Sequence, residues 1–256
     1  MDLHLKGKRA IVLGGTRGIG RAIAETLAAE GANVAICARN HEQVEEAVAA
    51  LTKKGVRATG ASVDIAKGDE LKAWVESVAK TFSGIDVLIS NASALTMGAH
   101  AEAWEQLLKV DILGAANAFE AARPHLEKSA EEHGDASAVF ISSVSAAETQ
   151  NAQAYGAIKA ALIHYAKGLA RETAKKNIRV NVVSPGTVYF KGGVWHLMEQ
   201  HATERYNAAL KANPTGRMGT PQEIANAAVV LASPVSSFTT GANWVVDGAI
   251  TQRVNF

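Results

Sequence analysis

Residues 9–20 read Arg9-Ala-Ile-Val-Leu-Gly-Gly-Thr-Arg-Gly-Ile-Gly20. A short apolar run, Arg9 to Leu13, ends in glycines, and a helical pattern then continues to about Glu30. Glycine lets a backbone turn tightly and approach a ligand closely. The start of a helix offers free N–H groups and a partial positive charge, which suit a pyrophosphate. Alone, such a cluster marks only a tight turn. Between a strand and a helix at the head of an α/β pattern, it predicts a dinucleotide site. Gly14, Thr16, Arg17, Gly18, Ile19 and Gly20 are therefore candidate cofactor-binding residues.

The same alternation runs outward along the chain. Further apolar runs occur at Asn33 to Cys37, Val56 to Val63, Asp86 to Ile89, Ala138 to Ile141, Arg179 to Val183 and Asn243 to Val246. Helical patterns lie between them, at Glu42 to Lys53, Glu70 to Thr81, Trp104 to His125 and Ala154 to Ala174. Strands alternating with helices need crossover connections. The expectation is a Rossmann-type, doubly wound α/β fold: a mostly parallel seven-stranded sheet with helices on both faces. No linker or repeat divides the chain. Residues 1–256 read as one domain, with a cofactor half over 1–135 and a catalytic and substrate half over 136–256. The excursion from Pro185 to Pro234 holds a loop, a helical piece from about Val194 to Leu210, and a helix start at Thr220-Pro221. It predicts a lid over about 187–213.

Composition narrows the function classes. The 256 residues carry 26 basic and 25 acidic side chains, a net charge of +1, which gives no reason to expect nucleic acid or an anionic membrane. A single cysteine, Cys37, excludes an internal disulfide framework and suits a reducing compartment. Neither a targeting segment nor a spanning helix is visible, so a soluble cytoplasmic protein is expected. The eight histidines form no metal motif.

Cofactor preference is set after the second strand. An acidic residue about 20 positions beyond the glycines holds the ribose 2′-hydroxyl of NAD in such folds. Here the sequence is Ala38-Arg39-Asn40, without a carboxylate. Arg39 and Arg17 suit a 2′-phosphate instead, which predicts NADP(H) over NAD(H). Asp64 and Ile65 end the third strand, where they either flank an adenine or mark a turn.

Ser142-Ser143 follow the fifth strand. Tyr155 and Lys159 are four apart on the next helix and share its face. Taken together, Gly14…Gly18…Gly20, Asn91-Ala92, Ser143, Tyr155-x-x-x-Lys159 and Pro185-Gly186 resemble the short-chain dehydrogenase/reductase family. The likeness continues through Gly216 to Pro221 and Thr240-Gly241…Val246-Asp247-Gly248, spans essentially the whole chain, and points to the 3-oxoacyl-carrier-protein-reductase-like branch.

The resemblance implies an oxidoreductase that interconverts a ketone or aldehyde and an alcohol by hydride transfer. In that scheme Tyr155 exchanges the proton and Ser143 binds the substrate oxygen. Lys159 holds the nicotinamide ribose and supports Tyr155. A tyrosine is a poor base at neutral pH; an ammonium at about 4 Å, worth about 4 kcal/mol at an effective dielectric of about 20, offsets most of that. The resemblance also implies cofactor contacts from Asn91, Ala92, Pro185, Gly186, Thr187 and Val188, and assembly as a homotetramer or homodimer through the two long helices. Gly114-Ala115-Ala116 and Ala160-Ala161 would suit close contacts there.

Several positions depart from the family pattern. Leu13 and Ser93 replace a threonine and a glycine. Asp111 stands where an asparagine anchors a relay water; it is a catalytic candidate, through its backbone carbonyl or by pairing with Lys159. Ser143 lies 12 residues before Tyr155, one fewer than in many relatives, so Ser142 competes with it. Phe190 replaces a threonine expected beside the nicotinamide. Leu95, Gln150 and Trp195 are candidate pocket walls for a small substrate. Two alternatives stand beside this reading: a 3-oxoacyl-thioester reductase, and a catalytically impaired NADP-binding regulator or scaffold.

Overall fold

The computed structural model describes residues 1–149 and 152–254. Seven strands form one sheet: β1 (Arg9–Leu13), β2 (Asn33–Ala38), β3 (Ala58–Ser62), β4 (Val87–Ser90), β5 (Ala136–Ile141), β6 (Ile178–Pro185) and β7 (Asn243–Val246). Their order is β3-β2-β1-β4-β5-β6-β7, and every pairing is parallel. The helices are α1 (Gly18–Ala29), α2 (His41–Thr52), α3 (Gly68–Phe82), α4 (Ala101–Leu107), α5 (Gly114–His133), α6 (Ala154–Thr173), α7 (Val194–His201), α8 (Thr203–Ala212) and α9 (Pro221–Ala232).

β1, β2, β4, β5 and β6 are almost wholly buried, which explains their near-continuous Ala, Val, Ile and Leu. One face packs on α3, α5 and α6 through Leu71, Trp74, Phe119 and Leu162. The other packs on α1, α2 and α9 through Ile23, Leu27, Val44 and Ile224. This is the doubly wound Rossmann-type architecture that the sequence predicts. The strand order reverses between β1 and β4, and ligands of such sheets bind in the crevice outside the carboxyl ends of the strands at that point.

Two helix expectations need correction. The helix expected over Trp104 to His125 is interrupted: α4 and α5 are joined by a π-helical turn, Leu108–Leu113. The extra residue in such a turn shifts the register of the inward face. Asp111 is thereby buried while Leu108 and Leu113 stay exposed. The piece expected over Val194 to Leu210 is two helices, α7 and α8, broken at Ala202, whose φ of −149° leaves the helical region. Thr220 does open α9, in a reciprocal capping box with Glu223.

Two of the small residues expected at a subunit contact are consumed inside the chain. Gly114 packs against Ile65, and Ala115 is buried in the core. No described helix is long and apolar enough to cross a membrane.

Candidate active site

The glycine loop leaves β1 at its carboxyl end. Gly14 and Gly18 take φ of +73° and +54°, in the left-handed region that glycine alone enters without cost. A Cβ at Gly20 would overlap the Gly14 carbonyl, so the loop folds back on α1 only with glycine there. Asn91, just past β4, donates from Nδ2 to the Gly14 carbonyl at 3.1 Å and ties the two sides of the crevice together. Arg17 precedes α1 without a side-chain cap, so the first N–H groups of α1 are free of one. A cradle of this kind fits a pyrophosphate. Arg17 and Arg39 are exposed beside it.

Phe190 adds a feature that sequence reading did not place. Its ring stands directly over Gly18, where a Cβ would collide with it. Arg17 Nη1 also lies 3.5 Å from the Gly192 carbonyl. The 190–193 loop therefore touches the glycine loop, and only the tertiary fold brings these segments together.

The chemical end lies past the carboxyl ends of β4 and β5. Tyr155 and Lys159 sit on α6, with the Lys159 ammonium 5.7 Å from the centre of the Tyr155 ring. Lys159 is 2% exposed. Its Nζ donates to the Ile141 carbonyl at 3.0 Å and lies 2.9 Å from Asp111 Oδ1. The two side chains form a fully buried ion pair. The other oxygen, Oδ2, accepts the Ala94 N–H at 2.9 Å. Burial pushes the Lys159 ammonium down, but the charges of Tyr155 and Asp111 outweigh it and hold the group above the ordinary lysine value.

The two serines differ. Ser142 is buried, and its hydroxyl donates to the Lys159 carbonyl at 2.9 Å. Ser143 is partly exposed; its Oγ accepts the Ser145 N–H at 3.1 Å and keeps its own proton for another partner.

Residues 14–251 match the family described as enoyl-(acyl carrier protein) reductase. The isoepoxydon dehydrogenase of Penicillium expansum is 39% identical, over 98% of this chain and 98% of that protein. The chain belongs to the short-chain dehydrogenase/reductase family. A 3-oxoacyl-[acyl-carrier-protein] reductase of Chlamydia pneumoniae is 32% identical over 98% of this chain and 100% of that one. Among solved structures, L-sorbose reductase of Gluconobacter frateurii, complexed with NADPH and L-sorbose, superposes with a TM-score of 0.89 at 30% identity, covering 99% of this chain and 100% of that one. As a short-chain dehydrogenase/reductase, the chain is a nicotinamide-dependent enzyme that acts on CH–OH/C=O groups.

Most of the remaining expected site residues follow the carboxyl ends of strands. Asp64 Oδ1 accepts the Ala66 N–H in a turn, and Ile65 is buried against Gly114. Pro185 and Gly186 lie beside β7, where Gly186 packs closely on Asp247. The Thr187 hydroxyl is engaged by Asn213 Nδ2 at 3.3 Å, and Val188 is buried. Ala92 is half-buried beside Gly14. Leu95 is exposed, with a φ of +53°. Trp195 is half-buried on α7, and Gln150 lies outside the described residues. Thr16 reaches Gln43 of α2 at 3.4 Å. His196 packs edge-on against Tyr189 between the 187–193 loop and α7. No group of three or more potential metal ligands occurs among the described residues.

Proposed function

We propose that this short-chain dehydrogenase/reductase is an NADP(H)-preferring enzyme that interconverts a small, free ketone or aldehyde and its alcohol, with Tyr155 as general acid and base. What supports the reading is that Tyr155 and the pinned Lys159 neighbour one another on α6, and that Ser143 and the glycine loop follow β5 and β1 at the carboxyl edge of the same sheet. Bound nicotinamide supplies or accepts the hydride at the carbonyl carbon. In reduction, Tyr155 donates its proton to the carbonyl oxygen while Ser143 donates a hydrogen bond to the charge developing there. In oxidation, the phenolate takes the proton back. Ser142 holds α6 against β5, and Asn91 holds the glycine loop at the crevice.

NADP(H) is preferred on the strength of Arg39 and Arg17, both exposed at the edge of the cradle, with no carboxylate after β2. A free substrate is favoured because basic side chains near the end of α6 are already paired. Lys176 pairs with Glu127 at 2.7 Å, and Arg123 with Glu127 and Glu172. An acidic carrier protein would find little attraction there. The segment 187–213 serves as the substrate lid. Exposed apolar side chains, Leu108 and Leu113 at the two ends of the π turn, Phe238 before β7 and Trp244 on it, support assembly as a homotetramer or homodimer. Burial pushes the Cys37 thiol up to about 12, which leaves it inert and consistent with a cytoplasmic setting.

The test is a panel of ketones and carrier-linked 3-oxoacyl thioesters with NADPH and with NADH, following loss of the reduced cofactor. Turnover of free ketones with NADPH is expected. Faster turnover with NADH overturns the arginine argument, and equal turnover of carrier-linked and free substrates overturns the substrate class. Tyr155→Phe should lower turnover by about 10²–10⁴-fold while cofactor still binds. An active Phe variant refutes the mechanism.

A further inference from the structure

Asp111 does more than occupy the position of an amide. The π turn places its carboxylate inside the protein, where one oxygen stands 2.9 Å from the Lys159 ammonium. A cation with an anion this close acts on a third group as a dipole, whose field falls off faster than that of a lone charge. We propose that Asp111 weakens the field that Lys159 exerts on Tyr155, so that the site favours giving a proton to a carbonyl over taking one from an alcohol. Asp111 is thus a positioning residue, which acts on the substrate only through Lys159 and Tyr155. The inference rests on Tyr155 being the acid–base group of the proposed reaction.

Other charges do not enter this balance. Of the elements packed on α6, α4 carries Glu102 and Glu105, both exposed and engaged by His100 and Lys109. β6 carries Arg179, which pairs with Asp135 at the opposite end of the sheet, and the turn after α6 carries Lys176, paired with Glu127. The 144–146 turn between β5 and α6 carries no charge. On α6 itself, Lys167 points away to the Gly241 carbonyl, and His164 and Arg171 lie further along the helix than Lys159. The carboxylate that faces the Lys159 ammonium is that of Asp111.

The consequence has a definite sign. Removing a negative charge makes every nearby group give up its proton at lower pH. Asp111→Asn keeps an oxygen for the Ala94 N–H and removes only the charge. The measurement is the near-ultraviolet titration of tyrosinate in the cofactor-free full chain, with Tyr155→Phe subtracted in each background to isolate Tyr155. The Tyr155 signal should appear about one pH unit or more lower in Asp111→Asn than in the natural chain. The alcohol-oxidation limb of the pH–rate profile should move the same way. An unmoved or raised midpoint overturns the proposal.

A second variant guards against misfolding. Lys159→Met combined with Asp111→Leu removes the pair together, and a neutral pair predicts a Tyr155 midpoint within about one unit of the natural one. A larger rise would show that Lys159 acts uncompensated and would also overturn the proposal. The titration needs no turnover. Failure of every ketone therefore refutes the proposed reaction alone, and an unshifted titration in an active protein refutes the role of Asp111 alone.

Discussion

Two buried ion pairs stand at opposite ends of the same sheet and are built differently. At the amino ends of the strands, Asp86 faces Arg9, the first residue of β1. Its Oδ2 accepts the Arg9 backbone N–H at 2.7 Å and Nε at 2.6 Å, while Oδ1 accepts Nη2 at 2.9 Å and a short bond from Ser129. Burial pushes the Asp86 carboxyl up, but the bonds from Arg9 and Ser129 outweigh it and hold the group below the usual carboxylate range. At the carboxyl ends, Asp111 meets Lys159 more sparsely: one oxygen accepts the Ala94 N–H and the other makes a single contact with the ammonium at 2.9 Å. A saturated pair fixes structure. A pair with a single side-chain contact, next to the proposed acid–base tyrosine, is held by fewer bonds.

The contrast can be broken in three ways. Asp86→Ala should cost the most, about 3–5 kcal/mol, because it strands a buried guanidinium and several donors. Denaturant unfolding measures this, and a loss below about 1 kcal/mol would show that the two pairs are alike. Lys159→Met with Asp111→Leu should be near neutral or stabilising by about 1–4 kcal/mol while turnover is lost, since apolar side chains fill a buried site without a desolvation cost. The same melt measured beside an activity assay decides it; a large loss of stability would make this pair structural too.

The smallest effect is in pH. Asp86 is held below its value in the unfolded chain, so its contribution is complete above about pH 4 and disappears as pH falls through the folded value. Asp86→Asn should therefore lower stability at neutral pH and flatten its decline in acid. An unchanged acid limb would remove Asp86 from the account of acid stability.

Legibility follows the same division. The glycine spacing at 14–20, the strand rhythm and Tyr155-x-x-x-Lys159 lie in local sequence, because turns, pleats and helical faces repeat over a few residues. They suffice for the fold class and for the family. The long helix read through 104–125 failed because a π turn inserts no recognisable residue; its signal is only the polar Asp111 on an otherwise inward face. Gly114 and Ala115 pack inside the chain, and their sequence does not say so because close packing inside a chain and between chains asks for the same side chains.

By itself, then, the sequence determined a parallel, doubly wound sheet, a glycine cradle at its first turn, and a tyrosine and lysine on one face of a helix. Tertiary structure alone decided that Ser142 is spent on the Lys159 carbonyl, that Phe190 lies over Gly18, and that Asp111 turns inward to Lys159. Each of these joins residues more than 15 positions apart. Contacts of that kind depend on how whole elements pack, and no local pattern of residue types encodes them.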